Sequence, residues 1–163
     1  MDKTANEILG IMIKYNGTDV RRINHAIKVF TFAQYIGIKE NCSSKEQSII
    51  EYSSILHDIG IHEAEKKYNS ISGKYQEELG PDIAKELTGT LEISDDIRER
   101  VYYLIGNHHS YNKIDGTDFQ ILVEADFIVN IFEGNINNNE DVRQKIFKTK
   151  TGIELLENMY LKQ

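Results

Sequence analysis

One cysteine, Cys42, in 163 residues rules out an internal disulfide and any cluster of thiolates around a metal. Whatever metal this chain binds must be held by nitrogen and oxygen. No apolar run reaches the length of about eighteen residues that spans a bilayer. The opening Met1-Asp2-Lys3-Thr4 leads directly into an amphipathic pattern instead of the apolar stretch of a signal peptide. A soluble, cytoplasmic protein with no membrane partner is therefore expected. Positive charge is also short: the net charge is −7, and the basic residues are scattered singly or in pairs. That balance disfavours bulk nucleic-acid binding. It leaves room for a small phosphorylated ligand, because a bound cation can supply positive charge where phosphate sits.

Strand-like alternation and internal repeats are missing as well, and helical periodicity recurs from end to end. With 40% hydrophobic residues over this length, one ordinary core is affordable, and an all-α single domain spanning 1–163 is expected. Ile8, Ile11, Met12 and Tyr15 form a first amphipathic stripe that Asn16-Gly17 ends. Asp19 caps a second helix over Val20 to Ile36, before Gly37 interrupts it. Ser43 with Glu46, or Ser44 with Gln47, offers a capping box for a third helix through Ile49, Ile50, Ile55 and Leu56, with His57-Asp58 near its C-terminus. Gly60 closes that helix, and His62 to Gly73 reads as a loop or a short mobile helix. Pro81 fits the first turn of a fourth helix. Ser94 caps a fifth carrying Ile97, Val101, Leu104, Ile105 and His108, and Asp118 opens a sixth carrying Ile121 to Val129. After the polar connector Asn135 to Asn139, a last helical segment runs from about Val142 to Leu161.

Four of the five histidines and two aspartates punctuate these helices where a buried site could gather them. Neutral imidazole and ionised carboxylate hold divalent first-row metals while leaving positions open for water. His57-Asp58 could turn both side chains to one cation from a helix end, although a C-terminal histidine is also what the helix dipole favours. Asp126 has apolar neighbours in both directions and needs a partner for its burial, either a metal or an interhelical Arg or Lys. Glu124 is the neighbour that could be exposed instead. His25 flanks the apolar stripe of its helix. If the fifth helix ends at Asn107, both His108 and His109 could reach a common centre. His62 is placed in solvent or facing substrate.

The ordered set His25, His57-Asp58 and Asp126 resembles the metal-binding signature of the HD superfamily of phosphohydrolases. The likeness covers roughly residues 19 to 133. It implies an orthogonal helical bundle whose central cleft binds one divalent transition metal (Fe, Mn, Co, Ni or Zn) through those four residues. Binuclear members carry extra histidines, and His108-His109 resembles such an element, with Asp58 then bridging two ions. Aligning Gly80-Pro81-Asp82-Ile83 with the family's glycine-containing helix start puts Gln76 where binuclear branches have histidine; Glu77 or Glu78 could replace it. The sequence is similar to the cyclic-dinucleotide branch in His-Asp-Ile-Gly, but Ile61 stands where that branch has lysine and no Gly-Tyr-Pro follows His109, which argues against that substrate.

By this resemblance the chain is expected to be a metal-dependent phosphohydrolase acting on a nucleotide or related small phosphate compound through a metal-bound hydroxide. Asp58 holds the metal and orients the water, and His108 or His109 protonates the leaving oxygen if it is not a ligand. Lys28, Lys74 and Gln76 are candidate phosphate contacts. The alternative is a catalytically inactive metal- or nucleotide-binding sensor; open metal positions favour the enzyme, and an occluded cleft favours the sensor.

Overall fold

A computed structural model describes residues 3–138 and 140–161; Met1-Asp2 and Asn139 of the polar connector lie outside the described residues. The described chain is all helical: α1 (Lys3–Asn16), α2 (Val20–Lys39), α3 (Ser44–Leu56), α4 (Ile61–Tyr68), α5 (Gly73–Thr88), α6 (Asp95–Ile105), α7 (Thr117–Phe132), α8 (Glu140–Ile146) and α9 (Lys150–Tyr160), with a 3-10 turn at Tyr111–Lys113. No strand occurs among the described residues.

α3 is the central rod. It packs on α1, α2, α6 and α7, and every residue from Ile49 to Leu56 is buried. A helix buried on all sides needs no single apolar stripe, which is why Ser53 and Ser54 can sit inside it. Each serine hydroxyl donates to a carbonyl three residues back, so neither adds an unmet polar group. Of the two overlapping capping boxes, Ser43 with Glu46 is the one formed: the Ser43 hydroxyl accepts from the Glu46 N–H while the Glu46 carboxylate accepts from the Ser43 N–H. Such a cap stabilises a helix by about 1 kcal/mol. α7 is the second buried rod, with Asp118, Phe119 and every residue from Ile121 to Val129 enclosed.

Several boundaries differ from those the sequence suggests. Gly37 does not interrupt α2, which continues to Lys39; a Cβ there would collide with Gln47 and meet Ile50 Cδ1 at 3.2 Å, so this glycine admits α3 at close range. The stretch after Gly60 is an ordered helix, α4, and only residues 69–72 connect it to α5. Pro81 lies inside α5, which begins at Gly73, two turns earlier than a proline at the first turn implies. The last segment is two helices, α8 and α9, because Thr149 caps α9 by accepting from the Gly152 N–H. α4 and α5 meet backbone to backbone: a Cβ on Gly60 would lie 2.7 Å from the Gln76 carbonyl and 2.9 Å from the Gly80 nitrogen. That contact brings Gln76 and Glu77 beside the turn carrying His57-Asp58. No described helix is long and apolar enough to cross a membrane.

Candidate metal centre

His57-Asp58 and His108-His109 do not end their helices; they form the turns just beyond α3 and α6. The two turns use one device. His57 Nδ1 donates to the Ser54 carbonyl at 2.8 Å, and His108 Nδ1 donates to the Ile105 carbonyl at 2.8 Å. The last turn of a helix leaves carbonyls without intrahelical partners, and here each receives an imidazole N–H. A carbonyl can only accept, so Nδ1 must carry the proton and Nε2 of each neutral ring presents a lone pair. His25, in mid-α2, reaches the same state by a different route: its Nδ1 donates to Glu133 Oε2 at 2.9 Å.

Those Nε2 atoms converge. His25 Nε2 lies 3.2 Å from His57 Nε2 and 3.1 Å from Asp126 Oδ1, and His57 Nε2 lies 3.5 Å from the same oxygen. Asp58 Oδ2 is 3.5 Å from both imidazole nitrogens. His25, His57 and Asp126 are buried, and the Asp58 side chain keeps 23% exposure. His25, His57 and Asp58 form one group whose ligand atoms lie within 4.8 Å of one another, and Asp126 Oδ1 stands against its two imidazoles; lone pairs so placed repel unless a positive charge lies among them. Ligands about 2.1 Å from a common ion stand about 3.0 Å apart in an octahedron and about 3.4 Å apart in a tetrahedron. The observed separations run from 3.1 to 3.5 Å, from inside that window to just beyond its tetrahedral edge.

The titration behaviour expresses the same demand for positive charge. Burial opposes charge on His57, yet Asp58 and Asp126 push its pKa up to about 9. His25 is raised as well, against its burial, chiefly through Asp126. Asp58 and Asp126 are both held below the usual carboxylate range, against their burial, by the surrounding histidines.

Asp58 turns its other oxygen the opposite way. Oδ1 is 3.4 Å from His108 Nε2, a buried atom that finds no hydrogen bond among the described residues. His109 completes a second group with Asp58 and His108 whose ligand atoms lie within 4.8 Å of one another. Burial and the neighbouring His108 lower the His109 pKa to about 4, so this ring is neutral at pH 7. The orphaned His108 nitrogen and the shared carboxylate fit a second cation, with nitrogen and oxygen donors of the kind first-row metals accept.

Gln76 stands at this second group. Its Nε2 donates to the Ile71 carbonyl at 2.7 Å, which aims Oε1 at His109 Nε2, 3.1 Å away. Glu77 receives the His109 backbone N–H at 2.9 Å and the Ser110 hydroxyl at 3.1 Å, pinning the turn, whereas Glu78 pairs with Lys67 and Tyr68 outside the site. Lys28 is engaged by Glu133 Oε1 at 2.6 Å; Lys74 lies over the Tyr75 ring, 5.8 Å from its centre, and does not line the cleft. His62 sits beside Arg22 and Asp19 with a 37% exposed side chain. Tyr111 packs edge-on against Phe127.

Two carboxylates correct the reading of α7. Asp126 has no Arg or Lys partner among the described residues; it meets His25, His57 and the Asn130 amide, which donates at 2.7 Å. Glu124 is not the exposed neighbour but is wholly buried. Asn130 and Glu133 were not singled out in the sequence, although their spacing of four and seven residues after Asp126 puts them on its face of α7 and the cap that follows.

The site opens into a cleft of about 440 Å³ lined by His25, Asp58, Asp126, Gln76 and His109 with Arg21, Arg22, Asn130, Ile61 and Ile71 among its walls. A helical chain with this His/Asp cluster is compatible with an HD-type metal site. Comparison with family models, curated proteins and solved structures finds no match to the chain.

Proposed function

We propose that the protein is an HD-type, metal-dependent phosphohydrolase acting on a small phosphate ester, a nucleotide or a related compound. The observation that carries this reading is the group of His25 Nε2, His57 Nε2 and Asp58 Oδ2 at the floor of an open cleft, with Asp126 Oδ1 against the two imidazoles. A divalent ion in that position neutralises charge on a phosphoryl oxygen and acidifies a bound water. The reaction is ester hydrolysis: a bond forms between water oxygen and phosphorus, the ester P–O bond breaks, and the leaving oxygen takes a proton.

The chain's own residues supply orientation and dryness. Glu133 and the carbonyls of Ser54 and Ile105 fix the tautomers of His25, His57 and His108, so each ring offers Nε2 without rearrangement. Asn130 holds Asp126 Oδ1, and its own amide orientation is set by Asn135, whose Nδ2 donates to Asn130 Oδ1 at 3.0 Å. Asp58, with one oxygen toward each histidine group, would serve both groups if each held an ion, and His108 and His109 would then hold the second. An open cleft supports turnover over a closed sensing site.

The test is elemental analysis of protein purified without chelator, followed by a screen of phosphate esters with the metal found. Stoichiometric first-row metal, lost in Asp58→Ala together with phosphatase activity, is expected. Bound metal without turnover of any phosphate ester overturns the hydrolase reading in favour of a sensor, and no bound metal overturns both.

A further inference from the structure

Two arginines line the cleft, and they differ in what they are free to do. Arg22 is consumed by its neighbours: Nη1 lies 3.0 Å from Asp19 Oδ2, and Nη2 donates to Glu65 Oε1 at 2.8 Å. Arg21 is exposed and makes no hydrogen bond or ion pair with any described residue. Asp19 and Glu65 both pair with Arg22. In a chain of net charge −7, this leaves an uncompensated guanidinium at the wall of the cleft.

Its position on α2 limits its role. Arg21 precedes His25 by four residues, so the two share a helix face about 6 Å apart along the axis. Helix side chains lean toward the N-terminus, so Arg21 leaves α2 one turn before His25 and on the same side. A group so placed does not compete for the phosphoryl oxygens at the His/Asp floor. It stands where a second part of the same ligand would lie, with Ile61 and the 61% exposed Ile71 as the apolar lining of the cleft. A volume of about 440 Å³ holds more than a lone phosphate.

We infer that Arg21 forms a second-anion subsite: the substrate is a phosphate ester carrying a further anionic group, a second phosphate or a carboxylate, lying toward the N-terminus of α2 from the scissile phosphoryl group. The planar fork of the guanidinium takes either anion by two parallel hydrogen bonds, which lysine cannot do. This inference rests on the phosphohydrolase reading of the floor.

The experiment compares Arg21→Ala and Arg21→Lys with the wild-type chain, loaded with its metal, on three probes: p-nitrophenyl phosphate, ADP and phosphoserine. Arg21→Ala is expected to lower the ratio of kcat/KM for a two-anion probe to that for p-nitrophenyl phosphate by about tenfold or more, with partial recovery in Arg21→Lys. A fall confined to ADP assigns the second anion as phosphate, and one confined to phosphoserine assigns it as carboxylate. Ratios that Arg21→Ala leaves unmoved overturn the subsite, even where turnover of every probe supports hydrolysis. Should the wild-type chain turn over none of them, the hydrolase reading falls by itself. Calorimetric binding of methylenediphosphonate against methylphosphonate then tests Arg21 alone, and equal affinity ratios in the wild-type chain and Arg21→Ala overturn the inference.

Discussion

Glu124 and Asp126 are both buried carboxylates, two residues apart on α7, and about 200° of helix turns them to opposite faces. Glu124 faces the C-terminal segment and meets only donors. Gln120 Nε2 donates at 2.7 Å, the Lys148 and Thr149 backbone N–H groups at 2.6 and 2.9 Å, and the Thr149 hydroxyl closes the set. Asp126 faces α2 and the turn after α3 and meets one dedicated donor, Asn130, together with two imidazole nitrogens whose other nitrogen already carries a proton. Burial alone therefore does not distinguish a structural acid from a functional one. The chemistry of the partners does: a carboxylate ringed by donors is complete, and one facing other acceptors requires a cation.

Exchanging each acid for alanine should separate stability from metal binding, and this is the largest effect expected. On the proposed reading Asp126→Ala removes a metal ligand, so metal affinity, and with it the proposed phosphatase activity, should fall by more than the roughly 10–100-fold that loss of an outer-shell partner costs. Its thermal stability without metal should also fall near neutral pH, since the ionised carboxylate is held by His25, His57 and the Asn130 amide. Glu124→Ala should spare the metal. It orphans two backbone N–H groups and leaves a cavity, costing about 2–4 kcal/mol, while the folded fraction keeps its metal stoichiometry. Denaturation curves alongside elemental analysis read both; equal losses of metal per folded chain in the two variants would erase the distinction.

The sequence carried the helices and the ligand set better than it carried the supporting contacts. Ser43 and Glu46 announced α3 because a capping box is local chemistry. His25, His57, Asp58 and Asp126 stood out because polar residues at apolar positions need partners. Gly37 and Pro81 misled because both usually break helices; here the close approach of α3 requires the absent Cβ of Gly37, and α5 accommodates Pro81 within a helix packed between α4 and α6. Glu124 was misread because its donors come from residues 120, 148 and 149, and the latter two lie beyond any local pattern. Glu133 was missed for a similar reason: its importance comes from His25, 108 residues away in sequence.

Glu133 gives the next smaller effect. Its two oxygens divide between His25 Nδ1 and Lys28 Nζ, at 2.9 and 2.6 Å. Glu133→Gln leaves an amide that can offer its oxygen to only one of them, weakening the hold on the His25 tautomer. Metal affinity should drop about 10- to 100-fold without loss of the fold, as for other outer-shell partners. Metal titration under competition with a chelator measures it, and an unchanged affinity would place Glu133 with Glu124 as a structural acid.

The smallest effect concerns the charge on Glu124 itself. Burial pushes its pKa up, against the donors from Thr149, Lys148 and Gln120 that favour the ionised form. A carboxyl whose folded pKa exceeds its unfolded value contributes stability that is fully present below the unfolded pKa and is lost as pH rises through the folded one. Glu124→Gln mimics the protonated acid: its carbonyl oxygen can keep the three N–H donors, and its amide can donate to the Thr149 hydroxyl, but it does not ionise. The stability of this variant relative to the wild-type chain should therefore grow as pH is raised from about 5 to about 8. Melting temperatures of both proteins across that range, with metal removed, follow the difference. A gap that stays flat, or widens toward acid, would mean that the donor ring outweighs burial and that Glu124 is as content ionised as its partners suggest.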